Sequence, residues 1–221
     1  MKKIALVTLA GLLLSANAHA KKFPDVTADG LERVKDSKMQ AVYLAPDANF
    51  SGYDKILLQP ATVAFKKNWQ RDLERNERRI IPEQDINNIR QRLAADLGET
   101  FSQALTEGGY TLVNEPGADV LEITPSIMDL YINAPDIPSA GRRDSYTESA
   151  GYMTLNLSLA DSETGQLLAQ AMDRKEDPHR GFMMWSNSVT NKAAADRILK
   201  RWAKTLTEGL NEVRQSGSPQ G

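Results

Sequence analysis

Strict alternation of apolar and polar residues predicts a β-strand in the second half of the chain. Between residues 151 and 160 the apolar positions fall at every second residue: Met153, Leu155, Leu157 and Leu159. A repeat of two is the repeat of a strand that buries one face and leaves the other polar. Residues 161–165 form a short polar connection, and residues 166–174 are apolar enough to return beside the first strand. We therefore predict a β-hairpin here.

Two other segments repeat every three or four residues, which predicts amphipathic helices. The first begins at Pro82, which suits the first position of a helix, and ends at Gly108-Gly109, since glycine accommodates the cap conformation. Its apolar positions are Ile86, Ile89, Leu93, Leu97, Phe101 and Leu105. The second spans about residues 191–213, and its apolar positions are Ala195, Ile198, Leu199, Trp202, Leu206, Leu210 and Val213.

The remaining apolar runs predict shorter strands. Residues 55–65 form one strand, in which Pro60 requires an edge position or a bulge. Residues 110–113 form another, and residues 119–131 form a longer strand broken near Pro125, whereas residues 133–149 are predicted to be an exposed loop. The order of elements predicts an α+β fold, a two-layer sandwich with a mainly antiparallel sheet and two long helices packed on one face. We expect a single domain over residues 21–215 and a disordered tail over residues 216–221.

The first twenty residues have the three parts of a cleavable secretory signal peptide. Lys2 and Lys3 precede an uncharged apolar run of eleven residues, and Ala18 and Ala20 provide the small side chains that signal peptidase requires. The run is too short to remain as a membrane anchor. We therefore expect a periplasmic protein that is cleaved after Ala20. Because the chain contains no cysteine, we expect neither a lipid anchor nor disulfides.

Charge and composition restrict the classes of partner. Removal of Lys2 and Lys3 would change the formal net charge of −2 by two units, to about −4. Nucleic-acid binding is not expected, because phosphate neutralisation requires clustered basic residues on an overall basic surface. After the signal peptide no apolar run is long enough for a transmembrane span. The length of the mature chain suffices to bury a core of its own.

Several segments together resemble a known family. These are residues 48–58 with Pro60 after them, Gly108-Gly109-Tyr110, residues 115–121, the connection 161–165, and residues 191–206. Their order and spacing resemble the exported bacterial proteins of domain of unknown function family 3313. The resemblance implies a periplasmic or envelope-associated protein with no established activity and no catalytic residues to transfer. Members are often lipoproteins, and this chain differs in lacking the lipid-acceptor cysteine.

The side chains available offer little catalytic chemistry. His179 is the one histidine that would remain after cleavage, and one histidine without cysteines rarely makes a zinc site. A serine nucleophile would depend on it as base, although residues 177–181 are more typical of a turn. Asp161, Glu163 and Gly165 faintly resemble a calcium loop, but the distal glutamate is missing and a hairpin turn fits better. No glycine-rich phosphate loop occurs. We predict no cofactor, no metal and no catalytic residue.

Two clusters are candidate partner or ligand surfaces. In the first, Trp69 lies among basic residues that include Arg71, Arg75, Arg78 and Arg79, and it could contact anionic lipid, lipopolysaccharide or an acidic protein. The alternative is a solvated loop neutralised by its own acidic residues. In the second, Met183, Met184 and Trp185 form an apolar group that either covers the core or borders a partner site or pocket.

These observations lead to three hypotheses about function. The first is a non-enzymatic binding or interaction domain of the cell envelope, whose partner is an envelope protein or a lipid surface. The second is a carrier of a small ligand or lipid, with an apolar pocket between sheet and helices, lined by Met183, Met184 and Trp185. The third is a carboxylate-based hydrolase, which would require two buried carboxylates that face each other across a cleft.

Overall fold

The computed structural model describes residues 23–77, 80–135, 145–147, 149–178, 184–186 and 188–216. The predicted signal peptide, His179 and most of the predicted loop 133–149 lie outside the described residues, and so do residues 217–221 of the predicted tail. The elements in chain order are β1 (Glu32–Arg33), β2 (Ala41–Leu44), β3 (Lys55–Leu58), β4 (Thr62–Phe65), α1 (Trp69–Glu77), α2 (Glu83–Glu107), β5 (Thr111–Leu112), β6 (Val120–Ile132), β7 (Ser145–Thr147), β8 (Gly151–Asp161), β9 (Leu167–Glu176), β10 (Met184–Ser186) and α3 (Ser188–Ser216).

Eight of these strands form one mixed, mostly antiparallel sheet, in the order β1-β2-β9-β8-β6-β3-β5, with β4 also paired to β6. Strands β6, β8 and β9 form its antiparallel centre, whereas β3, β4 and β5 are joined in parallel pairs. Strands β7 and β10 form a separate antiparallel pair. The α+β fold class is confirmed, and so is the hairpin of β8 and β9.

The two long helices contact each other and cover the apolar face of the sheet. Phe101 of α2 and Trp202 of α3 belong to the same buried cluster as Leu155 of β8. The four alternating residues of β8 are all buried, as their spacing predicts. Each long helix has one apolar stripe, and both stripes are buried by packing against the sheet.

The predicted strand over residues 55–65 is wrong in its extent, because the structure has two strands there. Pro60 lies in the break between β3 and β4, and both strands pair in parallel with β6. Strand β3 lies between β6 and β5, so it is not an edge strand.

Strand β6 is continuous through Pro125, so the predicted break is also wrong. Ile123 accepts a hydrogen bond from the N–H of Gln59 at 2.9 Å. Residues two apart in a strand direct their backbone groups to the same neighbour, so the missing N–H of Pro125 faces the gap between β3 and β4.

Helix α1 was not predicted, because the segment is dominated by charged residues. Its apolar side chains Trp69 and Leu73 are four residues apart and both are buried. They form a small second cluster with Ile81 and Ile86, which packs against Phe65, Tyr131 and Ile132. Two apolar residues at helical spacing are a weak signal, and tertiary packing decides whether they are buried.

Candidate functional site

A cavity of about 240 Å³ opens between α2, α3 and one end of the sheet. Its lining is predominantly apolar and comes from five parts of the chain. The described lining residues are Ile89, Arg92, Leu93 and Asp96 of α2; Leu130, Tyr131, Ile132 and Pro135 in and after β6; Ala150, Gly151, Tyr152 and Met153 at the start of β8; Asp177; and Asn191, Lys192, Ala194, Ala195 and Ile198 of α3.

The cavity lies where the pairing of β6 with β8 becomes irregular. Their register shifts between Met128 and Tyr131, and Asp129 has a positive φ of 51° in the bulge. Beyond it, Gly151 has a φ of 138°, and a Cβ there would collide with the carbonyl oxygen of Tyr131. A bulge bends its strand and re-aims side chains, so the helices and the sheet diverge at this end.

A hydrogen-bonded polar cluster borders the cavity at Asp177 and Ala150. The carboxylate of Asp177 accepts hydrogen bonds from Arg197 Nη2 at 2.7 Å and from the N–H of Ala150 at 3.1 Å. The hydroxyl of Ser149 donates to the carbonyl oxygen of Asp177 at 2.8 Å, and Asn133 Nδ2 donates to the carbonyl oxygen of Ser149 at 2.7 Å. These bonds hold the start of β8 to the end of β9, so Ser149 and Asp177 serve the fold here.

Charged side chains surround the opening. Lys192 donates to Asp96 at 3.1 Å and to Asp196 at 2.9 Å, and these hydrogen bonds, the one to Asp196 foremost, raise the pKa of Lys192. The Lys192–Asp96 pair joins α3 to α2 across the cavity. Arg92 is exposed and also lines the cavity, and in the part of the chain that the structure describes it bonds to no carboxylate.

Trp69 does not lie on a surface, which corrects the predicted basic patch around it. Its side chain is 2% exposed, its Nε1 donates to the carbonyl oxygen of Ile132 at 3.0 Å, and its ring stacks on Phe65. Trp69 therefore anchors α1 to the end of β6. Arg71 and Arg75 are exposed on α1, and Arg71 pairs with the neighbouring Asp72 at 3.2 Å. Arg78 and Arg79 lie outside the described residues, so the surface role of the four arginines stays a prediction.

The second predicted cluster is described in part. Met183 lies outside the described residues. Met184 and Trp185 belong to β10, where Trp185 is paired with Tyr146 of β7, and only their backbone is described. A pocket between the sheet and the helices was predicted, but its described lining does not contain the three predicted residues. Part of the observed lining could have been found from the periodicity of α2, since Ile89, Leu93 and Asp96 lie on one face of that helix.

The carboxylate arrangement that a hydrolase would need is not formed by the two buried aspartates of this region. Asp173 accepts hydrogen bonds from Trp202 Nε1 at 2.8 Å and from the N–H of Gln40 at 3.2 Å, and Lys175 Nζ lies 2.8 Å from it. Asp177 lies four residues further along, about 13 Å away at roughly 3.3 Å per residue. Each carboxylate has its own set of partners, so the two do not act across one cleft.

The hairpin connection uses Asp161 as a turn residue. Its Oδ1 accepts from the N–H and the hydroxyl of Thr164, each at 2.7 Å, and its Oδ2 accepts from the hydroxyl of Tyr53 at 2.8 Å. The bonds from Thr164 are the main reason that the pKa of Asp161 is lowered. Burial, followed by the hydrogen bond to Asp161, raises the pKa of Tyr53 to about 12.

Among the described residues, no cluster of histidines and carboxylates could hold a metal ion.

The sequence of this chain matches the model of a known protein family. The sequence model of a family described as "Protein of unknown function (DUF3313)" matches residues 23–206, which confirms the resemblance seen in the sequence. No curated protein sequence matches. Within the described residues, no helix has the length and apolar character that crossing a membrane would require.

Three solved structures are similar to this chain at low sequence identity. A protein from Xanthomonas campestris, of family DUF330, is 12% identical with a TM-score of 0.42, over 78% of this chain and 92% of that one. The PelC dodecamer from Paraburkholderia phytofirmans is 9% identical with a TM-score of 0.37, over 74% and 95%. A minor lipoprotein from Acinetobacter baumannii is 10% identical with a TM-score of 0.37, over 73% and 95%.

Proposed function

The chain belongs to the DUF3313 family of unknown function, and we propose that it is a non-enzymatic binding domain of the cell envelope that takes an apolar ligand between α2, α3 and the sheet. The cavity of about 240 Å³ is the observation that carries this proposal. Its volume is somewhat below the ~300–1,000 Å³ typical of small-molecule sites, which suits one hydrocarbon chain or a small apolar molecule.

The character of the lining supports a ligand rather than a packing defect filled with water. Leu93, Leu130 and Met153 are almost fully buried beside it, and the polar groups of Asp177 and Ser149 already have hydrogen-bond partners. Water remains in a cavity when unsatisfied polar groups bind it, whereas apolar cavities stay dry or take apolar guests. A ligand chain here would gain about 0.8 kcal/mol for each buried methylene.

The proposed place of action is the periplasm. Residues 1–20 would direct export and be removed after Ala20, leaving one domain over residues 21–215, and the absence of cysteine would leave the mature protein without a lipid anchor. A partner protein of the envelope was the first hypothesis from the sequence. The cavity favours the small-ligand alternative. An apolar recess between α2, α3 and the sheet can surround a small ligand, whereas a flat protein surface would not reach into it.

A pair of alanines on α3 provides the test of this proposal. Ala195 lines the cavity, whereas Ala193 is exposed on the same helix and outside the described lining. We expect Ala195→Leu to fill the cavity and to reduce the affinity for 1-decanol at least about tenfold, since the added carbons occupy the ligand's place. Titration calorimetry on delipidated protein gives this affinity, and native mass spectrometry of freshly purified protein shows any ligand that was carried along.

Ala193→Leu is the matched control, because it adds the same carbons two residues away. It should bind 1-decanol like the unchanged protein. If the unchanged protein binds no 1-decanol and purifies without a ligand, or if both leucine variants bind it equally well, the proposed pocket is wrong.

A further inference from the structure

We infer that the ligand of this pocket is a single-chain amphiphile with an anionic headgroup, and that Arg92 binds that headgroup. The inference rests on the proposed function, because it assigns the chemical class of the ligand that the same cavity takes. Carboxylate and phosphate headgroups share the chemistry that a guanidinium recognises, namely paired oxygens that accept parallel hydrogen bonds.

The position of Arg92 places it between the apolar lining and water. Ile89, Arg92 and Asp96 are spaced by three and four residues, so they share one face of α2, and all three line the cavity. Ile89 is half-buried, whereas Arg92 is exposed. An apolar chain inside the cavity would therefore end beside a cation at its opening.

Among the described charged groups at the opening, Arg92 is the one without a partner. The described lining contains two carboxylates: Asp96 accepts a hydrogen bond from Lys192, and Asp177 accepts one from Arg197. Lys192 also bonds Asp196, which is not part of the described lining. Within the described residues, by contrast, Arg92 forms no ion pair, hydrogen bond or ring contact. Both carboxylates of the described lining are thus compensated, and the unpaired charge among the described lining residues is positive.

The orientation of α3 favours the same sign of charge. Asn191 and Lys192 lie near the beginning of this helix and line the cavity, and its first turn contains no acidic residue. The N-terminal end of a helix has a partial positive charge that acts over about one turn. The cavity opening therefore combines this partial charge with the guanidinium of Arg92, and both favour an anion over a neutral or cationic headgroup.

Ligands that differ in headgroup alone separate this inference from the proposed function. The probes are decanoate, decyl phosphate, 1-decanol and decyltrimethylammonium, titrated into full-length mature protein with ¹³C-methyl methionine. The methyl group of Met153 reports occupancy, because it lines the cavity, whereas exposed Met128 lies outside the described lining and serves as internal reference. Met153→Leu assigns the reporting signal.

We expect both anions to bind about fivefold more tightly than 1-decanol, and the cation to bind more weakly, as a charge-assisted contact at a partly exposed site would produce. Arg92→Gln should remove the preference for anions, so that decanoate, decyl phosphate and 1-decanol bind with similar affinities. Arg201→Gln is the control with the same loss of charge, since Arg201 is exposed on α3 and outside the described lining; it should retain the preference.

The outcomes that contradict the inference differ from those that contradict the proposed function. Equal affinity for decanoate and 1-decanol, or an anion preference that survives Arg92→Gln, overturns the role of Arg92 while pocket binding stands. If no probe shifts the Met153 signal, the pocket itself is overturned. Preference for one anion over the other identifies the source, a fatty acid or a phosphorylated lipid.

Discussion

At the scale of single residues, the buried carboxylate of Asp173 stabilises the fold through its hydrogen bonds and its ion pair. Asp173 has 2% of its side chain exposed, yet Trp202, Gln40 and Lys175 all contact its carboxylate. A buried carboxylate is tolerated only when its oxygens are bonded and its charge is compensated. Trp202 in turn needs an acceptor for its buried indole N–H, so the two residues join β9 to α3.

Removing the carboxylate of Asp173 should therefore destabilise the protein strongly. We expect Asp173→Ala to lower the free energy of unfolding by about 3 kcal/mol, because the indole N–H of Trp202 and the ammonium of Lys175 lose their acceptor. Urea unfolding followed by tryptophan fluorescence measures it. Asp119→Ala is the control: Asp119 pairs with Lys55 at the surface, and its removal should have little effect. Equal effects of the two substitutions would show that burial of Asp173 is not what matters.

Tyr53 should make the protein sensitive to alkali. Its raised pKa means that the folded state favours the neutral phenol, so its contribution to stability is complete below pH 10 and is lost as pH rises towards 12. The difference in ultraviolet absorbance between the unchanged protein and Tyr53→Phe should titrate near 12.

In Asp161→Asn the same titration should move part of the way towards 10, because burial, the larger cause of the shift, remains. The unfolding free energy of Tyr53→Phe should also fall less steeply above pH 10. A difference titration centred at the ordinary value of 10.0 would contradict the partly buried, hydrogen-bonded environment assigned to Tyr53.

At the scale of elements, the end of α2 is positioned by its close contact with α3. Gly108 follows α2 with helical dihedral angles, which an alanine adopts readily. Its Cβ would nevertheless collide with Cγ2 of Thr207 in α3. The hydroxyl of Thr207 donates to the carbonyl oxygen of Ala203 at 3.0 Å, which holds the methyl group in place. The glycine that ends the helix therefore also sets the distance between the helices.

Two glycine substitutions in this region should have opposite signs. Gly108→Ala should lower the midpoint of thermal unfolding because of the collision with Thr207. Gly98→Ala should stabilise by about 0.5–1 kcal/mol, since Gly98 lies inside α2 with open space around it and alanine is the better helix former. Adding Thr207→Ser to Gly108→Ala removes the colliding methyl group and should restore much of the loss. If the double variant is no more stable than Gly108→Ala, the contact is not the cause.

At the scale of the whole molecule, the mature protein is expected to rely on its core alone, because it has no cysteine for disulfides. One large apolar cluster joins both long helices to the sheet, and two smaller clusters extend it beneath α1 and beside β1 and β2. The cavity lies at the end where the α1 cluster and the main cluster approach the bulged part of β6.

Export with cleavage after Ala20 is tested on the intact protein. We expect the envelope fraction to contain a chain that begins at Lys21, which intact-mass measurement identifies. Ala20→Leu should leave the precursor uncut, because the peptidase pocket at this position admits small side chains. His19→Ala is the control, since the middle residue of the motif does not enter such a pocket; it should be processed normally. Recovery of uncut, unmodified chain from the cytosol would contradict the predicted export.

The sequence by itself determined the elements whose pattern is local. The positions of α2 and α3 and the β8–β9 hairpin follow from repeats of 3.6 and 2 that need no partner to be recognised. The family follows as well, because the order of these segments is read along one chain. Trp69 is different: its indole is apolar enough for the core and polar enough for a surface, so its neighbours in the sequence did not decide between the two.

Only the tertiary structure decided the features that join distant residues. The parallel pairing of β3 and β4 with β6 depends on contacts between segments some sixty residues apart, and such pairings leave no periodic trace. The cavity likewise arises where a bulge in β6, a glycine of β8 and the spacing of two helices coincide. Its lining is set by how far packed elements diverge, a property of their assembly rather than of any one segment.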